Sequence, residues 1–414
     1  MSEWYQRMRQ EIAAGGAVEE IDEPGATRQG RIYGIVVLAL LVWLGVRSPW
    51  TLLFVVGLLV SVFLHEVGHF STARLTGMKV TQFFMGFGPR LFSWRRGETE
   101  YGARALPLGA FVRIIGMNNL DEVGPADEPR AYRSRSYPRR LLVITAGSLM
   151  HMLIAFALFF GVFAIAGREG PTGVVRIMAL DTTGPATKAG LVEGDRIESI
   201  GGTVVRSYDD VRAAIRSHAV GDRVDVHVQR ADGTRDTVTV GLIAGTDPGS
   251  VAYMGIWADD WGWKKIGIGS AFVHGFTEIG STVSRSVTGV FTALNPLNSI
   301  RHLTGSDDSL RTRPTTVVGV SQVGGTVGKN DGLKGILLLL AGVNVFVGVF
   351  NMIPLLPFDG GHAAIATYER IRSRKGRRYT ADIAKMVPVA TLVVGALALL
   401  FVTGLWLDIT QPLG

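Results

Sequence analysis

The chain has 414 residues, 47% of them hydrophobic, a formal charge of +7 and no cysteine. Structural disulfides and thiolate metal sites are thereby excluded, and any metal has to be held by His, Asp or Glu. Arginine dominates the basic residues, but no basic stripe interleaved with aromatics marks a soluble segment, so no nucleic-acid partner is expected. Apolar residues are bunched into runs between charged stretches. That is the pattern of a multi-span helical membrane protein with at least one folded soluble domain.

Residues 1–30 read as a polar tail without the basic-then-apolar order of a cleavable signal peptide. Residues 31–72 hold two apolar runs, Tyr33–Val46 and Thr51–Leu64, interrupted at Arg47-Ser48-Pro49-Trp50. Each is shorter than the ~20 residues of a span. With their flanks they make a tight helical hairpin, Pro49 suiting the first turn of the second helix. One long kinked span is the alternative.

Residues 73–140 carry twelve basic and six acidic side chains between Arg74 and Arg140, an excess expected of a cytoplasmic loop. Within it Phe83–Trp94 and Tyr101–Ile115 flank Arg95-Arg96-Gly97-Glu98, which predicts a β-hairpin lying against the membrane. Residues 141–166 form the next span. Residues 167–245 alternate short β-type runs with turns, and 246–335 connect onward through an amphipathic helix, Ile266–Leu294, on the outer surface. Residues 336–362 are a broken span, 363–386 a basic loop and 387–414 the last span. About five crossings from an inside N-terminus put both basic loops inside and the 167–335 segment outside.

The chemistry centres on His65-Glu66-Val67-Gly68-His69, an H-E-x-x-H motif. Residues four apart share a helix face, so His65 and His69 suit one metal ion, and Glu66 suits a general base. The motif closes an apolar run, where an ionisable side chain costs ~2.5 kcal/mol or more unless compensated. A catalytic zinc usually takes three protein ligands. Asp359 is the candidate third, in Asn351-Met352-Ile353-Pro354-Leu355-Leu356-Pro357-Phe358-Asp359-Gly360-Gly361-His362. Pro354 and Pro357 break the helix there, and irregular backbone at membrane depth is tolerated only beside protein or a polar cavity. Asn351 reads either as an oxyanion donor or as a helix–helix hydrogen bond. His151 is a gating or a packing histidine, His362 assists the metal site or follows the break, and His274 has no evident metal partner.

These residues resemble the site-2 proteases, zinc intramembrane proteases that cut transmembrane segments. The likeness rests on His65–His69, on Asn351, Pro354, Pro357 and Asp359-Gly360-Gly361, and on Ala189–Ile197, which looks like the PDZ segment of bacterial proteases. It implies one zinc ion per chain, held by His65, His69 and Asp359, with Glu66 and Asn351 catalytic. It implies a multi-pass protein of the inner or plasma membrane, with one extracytoplasmic α+β PDZ domain and a cytoplasmic-side β-hairpin. The partners implied are membrane lipid, single-span membrane proteins of the anti-sigma-factor kind, and an upstream site-1-type protease that cuts them first. Gly86, Phe87 and Gly88, at the start of the hairpin, together with Pro354 and Pro357, are implied to meet the substrate. The PDZ domain would either filter substrates by size or bind a peptide end. The chain departs from the family at Gly147-Ser148 and His151, where Gly-Pro and Asn are usual. The competing readings are a zinc transporter or non-catalytic zinc-binding protein, and a membrane-anchored protease whose site faces water.

Overall fold

Ser48 is the corner on which the first two helices turn. The computed structural model describes residues 25, 27–117, 121–245, 251–307, 309, 311–373 and 379–413. Nearly all of the N-terminal tail and Arg374–Arg378 of the basic cluster lie outside them. Helix α1 spans Arg28–Arg47 and α2 Pro49–Leu75. Ser48 is extended, its hydroxyl accepts from the Thr51 N–H, and Pro49 opens α2 where its missing N–H is harmless.

The chain divides into two units, one from the residues up to Val162 and from Val273 onward, the other Phe163–Phe272. In the first unit, α2 is followed by β1 (Val80–Arg96) and β2 (Thr99–Ile114). The pairing is interrupted by bulges. Gln82–Met85 has partners on both sides, Ala110–Arg113 on one and Glu100–Ala103 on the other. Ala110–Ile114 is thus an edge of this small sheet. Phe84 stacks on Phe111 at 5.6 Å, with Arg104 over both rings.

Helix α3 (Tyr137–Ile165) leaves this unit for the second. There β3 (Arg168–Leu180), α4 (Pro185–Ala189), β4 (Arg196–Ile200), β5 (Thr203–Val204), α5 (Tyr208–Arg216), β6 (Arg223–Gln229) and β7 (Arg235–Gly241) follow. A short β8 (Ile243–Ala244) pairs with β9 (Ala252–Tyr253), and β10 (Ile256–Lys264) returns along β3. The main sheet has the order β10-β3-β4-β6-β7, with β5 on β4. Val175, Ile177, Ile197, Val226, Val228 and Val240 alternate into a buried core against Leu191 and Val211. The sheet runs past residue 245 because β10 belongs to it. Its Asp259-Asp260 and Gly262 have low strand propensity, which hid it in the sequence. Helix α5 starts with a capping box between Ser207 and Asp210. The Arg206 N–H, the Ser207 hydroxyl and the Ser207 N–H hold the Asp210 carboxyl below its ordinary range.

Helix α6 (Ile268–Ala293) brings the chain back, with Gly275 against Phe156 of α3. After α7 (Pro296–Leu303) comes α8, Val317–Asn351, which begins well before the predicted Ile336. Its first half is rich in glycine, which reads as a loop. Packing overrides that propensity. Gly324 and Gly328 face Phe54 and Trp50 so closely that a methyl at either would approach within 2.6 Å or less, so helix backbones meet there. Gly332, at φ 65°, breaks the helical path midway. Helix α9 spans Asp359–Arg372 and α10 Val387–Thr410. Among the described residues five helices, α1, α2, α3, α8 and α10, are long and apolar enough to cross a membrane.

Two buried charge clusters tie the ends of these helices. The Arg140 guanidinium lies 2.7 Å from the Glu369 carboxylate, which also accepts from the Ala381 N–H. Asp408, fully buried near the end of α10, accepts from the Thr316 N–H and hydroxyl and from the Gly319 N–H, capping α8.

Candidate metal centre

His65 and His69 lie one turn apart on α2, their ring centroids 4.7 Å apart. The His69 Nδ1–H donates to the Val143 carbonyl at 2.8 Å, which fixes the tautomer and leaves Nε2 a lone pair. Asp359 arrives from the other end of the chain. After Asn351 the path turns through Met352–Phe358, whose two prolines cannot continue a helix, and α9 starts at Asp359. The return is tight: a methyl on Gly360 would lie 2.3 Å from the Met352 carbonyl oxygen. Asp359 Oδ2 thereby sits 3.2 Å from His69 Nε2 and 3.5 Å from His65 Nε2, and the two Nε2 atoms are 3.1 Å apart.

The three atoms form a triangle of electron-rich groups in a largely buried place. Asp359 Oδ2 is buried without a hydrogen-bond partner. One proton could bridge only one edge of the triangle, whereas a divalent cation satisfies all three corners. Two imidazole nitrogens, one carboxylate oxygen and an open position make a donor set suited to catalytic zinc. The wall opposite is Gly147 of α3, where a Cβ would fall 2.4 Å from His69 Nε2 and from His65 Cε1. Only glycine leaves this space clear. Glu66 is beside the triangle, Oε1 4.0 Å from His65 Nε2.

A cavity of about 230 Å³ opens onto these groups. Asn351, Pro357, Phe358 and His362 line one wall, and the β2 edge, Ala110–Ile114, lines another. The residues the sequence singled out separate here. Asn351 and Pro357 face the cavity. Pro354 is exposed and outside its lining, and Gly86, Phe87 and Gly88 sit in the bend of β1, also outside it. The wall formed by Ala110–Ile114 carries no sequence motif. Its alternating pattern announces a strand, but not which edge of the sheet meets the metal site. His362 is buried in the lining and is not among the three ligating groups.

A membrane-embedded helical body with a His–His–carboxylate centre defines a metallopeptidase of the membrane. The comparisons with known proteins give its family. Residues 53–395 match the model of peptidase family M50, and the chain belongs to that family, the site-2 proteases. It is similar to zinc metalloprotease Rip1 of Mycobacterium tuberculosis (strain H37Rv), 34% identical over 403 residues, covering 87% of this chain and 97% of that one. Rip1 of Mycolicibacterium smegmatis is 32% identical over 405 residues, again 87% and 97%. A putative zinc metalloprotease of Rhizobium meliloti is 29% identical over 386 residues, covering 88% and 96%. Among solved structures, the PDZ domain of an SdrC-like protein of Listeria monocytogenes matches with 26% identity and a TM-score of 0.19, covering 20% of this chain and 85% of that one. The chain is a zinc metalloendopeptidase of the intramembrane class.

Proposed function

We propose that this protein hydrolyses a peptide bond within the transmembrane segment of single-span membrane proteins already shortened by a site-1-type protease, with anti-sigma factors as the substrate class. The observation that carries the reading is the convergence, within 4.8 Å, of His65 and His69 on the apolar helix α2 with Asp359 at the start of α9, far along the chain. These residues would hold one zinc ion. Bound zinc supplies Lewis acidity and a nucleophilic water at neutral pH. Glu66, beside the residues that would hold the metal, would serve as general base toward the attacking water and then as acid toward the departing amine. Asn351, on the cavity wall, donates to the carbonyl oxygen as negative charge develops on it.

A peptide bond inside a helix is shielded by its own hydrogen bonds and has to be extended before attack. The edge Ala110–Ile114 supports this step. Its residues pair with β1 and also line the cavity, which supports an unwound substrate segment adding to it as a strand. This assigns to Ala110–Ile114 the contact that the sequence assigned to Gly86, Phe87 and Gly88.

In this proposal the Arg-rich segment before α3 and the basic cluster after α9 are cytoplasmic, and the Phe163–Phe272 unit is an extracytoplasmic PDZ domain. The arginine excess and the parity of the five apolar helices among the described residues support that sidedness. The test is Glu66→Gln in the full chain, reconstituted with a tagged single-span substrate. Cleavage is expected to vanish while zinc stays near one per chain. Cleavage at the wild-type rate would remove Glu66 from its role.

A further inference from the structure

His151 and Asn344 extend the metal centre in a way that the HExxH and Asp motifs do not describe. His151 lies on α3, one turn beyond Gly147, and positions four apart share a helix face. Its ring centroid is 4.9 Å from that of His65. It is 2% exposed, and Asn344 of α8 is 1% exposed.

The hydrogen bonds around Asn344 determine which nitrogen of His151 carries the proton. The Asn344 Nδ2 group donates to the Leu340 carbonyl at 2.8 Å and to the Ser61 hydroxyl oxygen at 3.0 Å. The Ser61 hydroxyl spends its own proton on the Gly57 carbonyl at 2.9 Å. The amide nitrogen is therefore committed as a donor, and Oδ1 is an acceptor. His151 Nδ1, 2.8 Å from Oδ1, is the donor in that contact. The neutral ring then carries a lone pair on Nε2, and among the described residues nothing is hydrogen-bonded to it. An imidazole whose Nδ1–H is held by a side-chain oxygen is oriented as a metal-site histidine is. Nearby, the buried Ser148 hydroxyl also lacks a partner. A helix-to-helix tie would need only Nδ1. That leaves the unpartnered Nε2, on a ring whose centroid stands 4.9 Å from that of His65, available for a second role.

We propose that His151 is a positioning residue of the metal centre. Its Nε2 lone pair accepts a hydrogen bond from the proton-bearing group that occupies the open position of the site, and the Asn344–Ser61 relay fixes the ring for that purpose. His151 Nε2 is outside the cluster of three ligand atoms, as a hydrogen-bonding neighbour of the bound group has to be. The inference rests on the metal reading of His65, His69 and Asp359.

Two isosteric variants separate the two ring nitrogens. In His151→Asn the amide nitrogen takes the place of Nδ1 and keeps the bond to Asn344, but nothing replaces Nε2. In His151→Gln the longer side chain brings its amide oxygen to the place of Nε2. Full-length variants are reconstituted, and cleavage of a tagged single-span substrate is measured with zinc retention against a chelator series and thermal unfolding. His151→Asn is expected to unfold with the wild type, to lose about tenfold or more in kcat at unchanged KM, and to give up zinc at a lower chelator concentration. His151→Gln, which restores the acceptor at Nε2 but loses the bond to Asn344, is expected to recover part of both losses. Wild-type kcat and zinc retention in His151→Asn would overturn the proposal. So would equal losses in both variants that track a lowered melting temperature, because the ring would then serve packing alone. A wild-type protein that binds no zinc would instead overturn the metal reading itself.

Discussion

Gly147→Ala adds one methyl group to the wall facing the metal ligands. Its Cβ would lie 2.4 Å from His65 Cε1 and His69 Nε2, about 1 Å short of ordinary contact at 3.4 Å. Neither ring retreats freely: His69 is tied through Nδ1 to Val143, and both rings stand on one helix. A displacement of this size at a reacting centre costs about 100-fold in rate. Stability responds differently. Overpacking costs about 1–3 kcal/mol, while alanine in a helix interior returns about 1 kcal/mol relative to glycine. The net change is about 0–2 kcal/mol, too small to unfold the protein. The control is Gly161→Ala on the same helix, where a Cβ meets nothing within 4 Å. Zinc per chain by elemental analysis and cleavage of a reconstituted single-span substrate form the assay. Gly147→Ala is expected to lose both, with melting close to the wild type and Gly161→Ala unchanged. A Gly147→Ala protein with one zinc and full cleavage would refute the placement of the cation against α3.

Glu369→Gln leaves the buried Arg140 without its carboxylate, a loss of about 3–5 kcal/mol that thermal unfolding in detergent would report. Asp408→Ala removes the cap of α8 and the ion partner of Arg313, and the same assay is expected to show a loss of about 3 kcal/mol with the zinc content of the remaining folded protein unchanged. The lowered Asp210 carboxyl is a linked-proton effect. Its contribution to α5 is complete above the unfolded value of about 3.9 and is lost as pH falls through the lower folded value. Hydrogen exchange at the first α5 amides is expected to accelerate over that acid range in the wild type and to show no such step in Asp210→Asn.

The histidine pair of the metal-capable cluster was legible because two rules coincide on it: helical spacing joins His65 to His69, and charge is costly in an apolar run. Asp359 was legible from the prolines and glycines around it. The start of α8 was not, since its glycines have poor helix propensity and become helical only when Trp50 and Phe54 pack into them. Nor was the role of His151, whose meaning depends on Asn344, a residue distant in sequence and unremarkable by itself. The cavity-facing edge of β2 was hidden for a related reason. Strand periodicity tells inside from outside, whereas the choice of free edge depends on bulges that set the register.

That edge has a consequence for selectivity. If Ala110–Ile114 takes the substrate as an added strand, as proposed, it would meet it through amide and carbonyl groups that every residue except proline shares. Side-chain consensus then matters less than the energy needed to melt a short stretch of helix in lipid. Segments weakened by glycine, proline or a stray polar group would be consumed first, whatever the rest of their sequence.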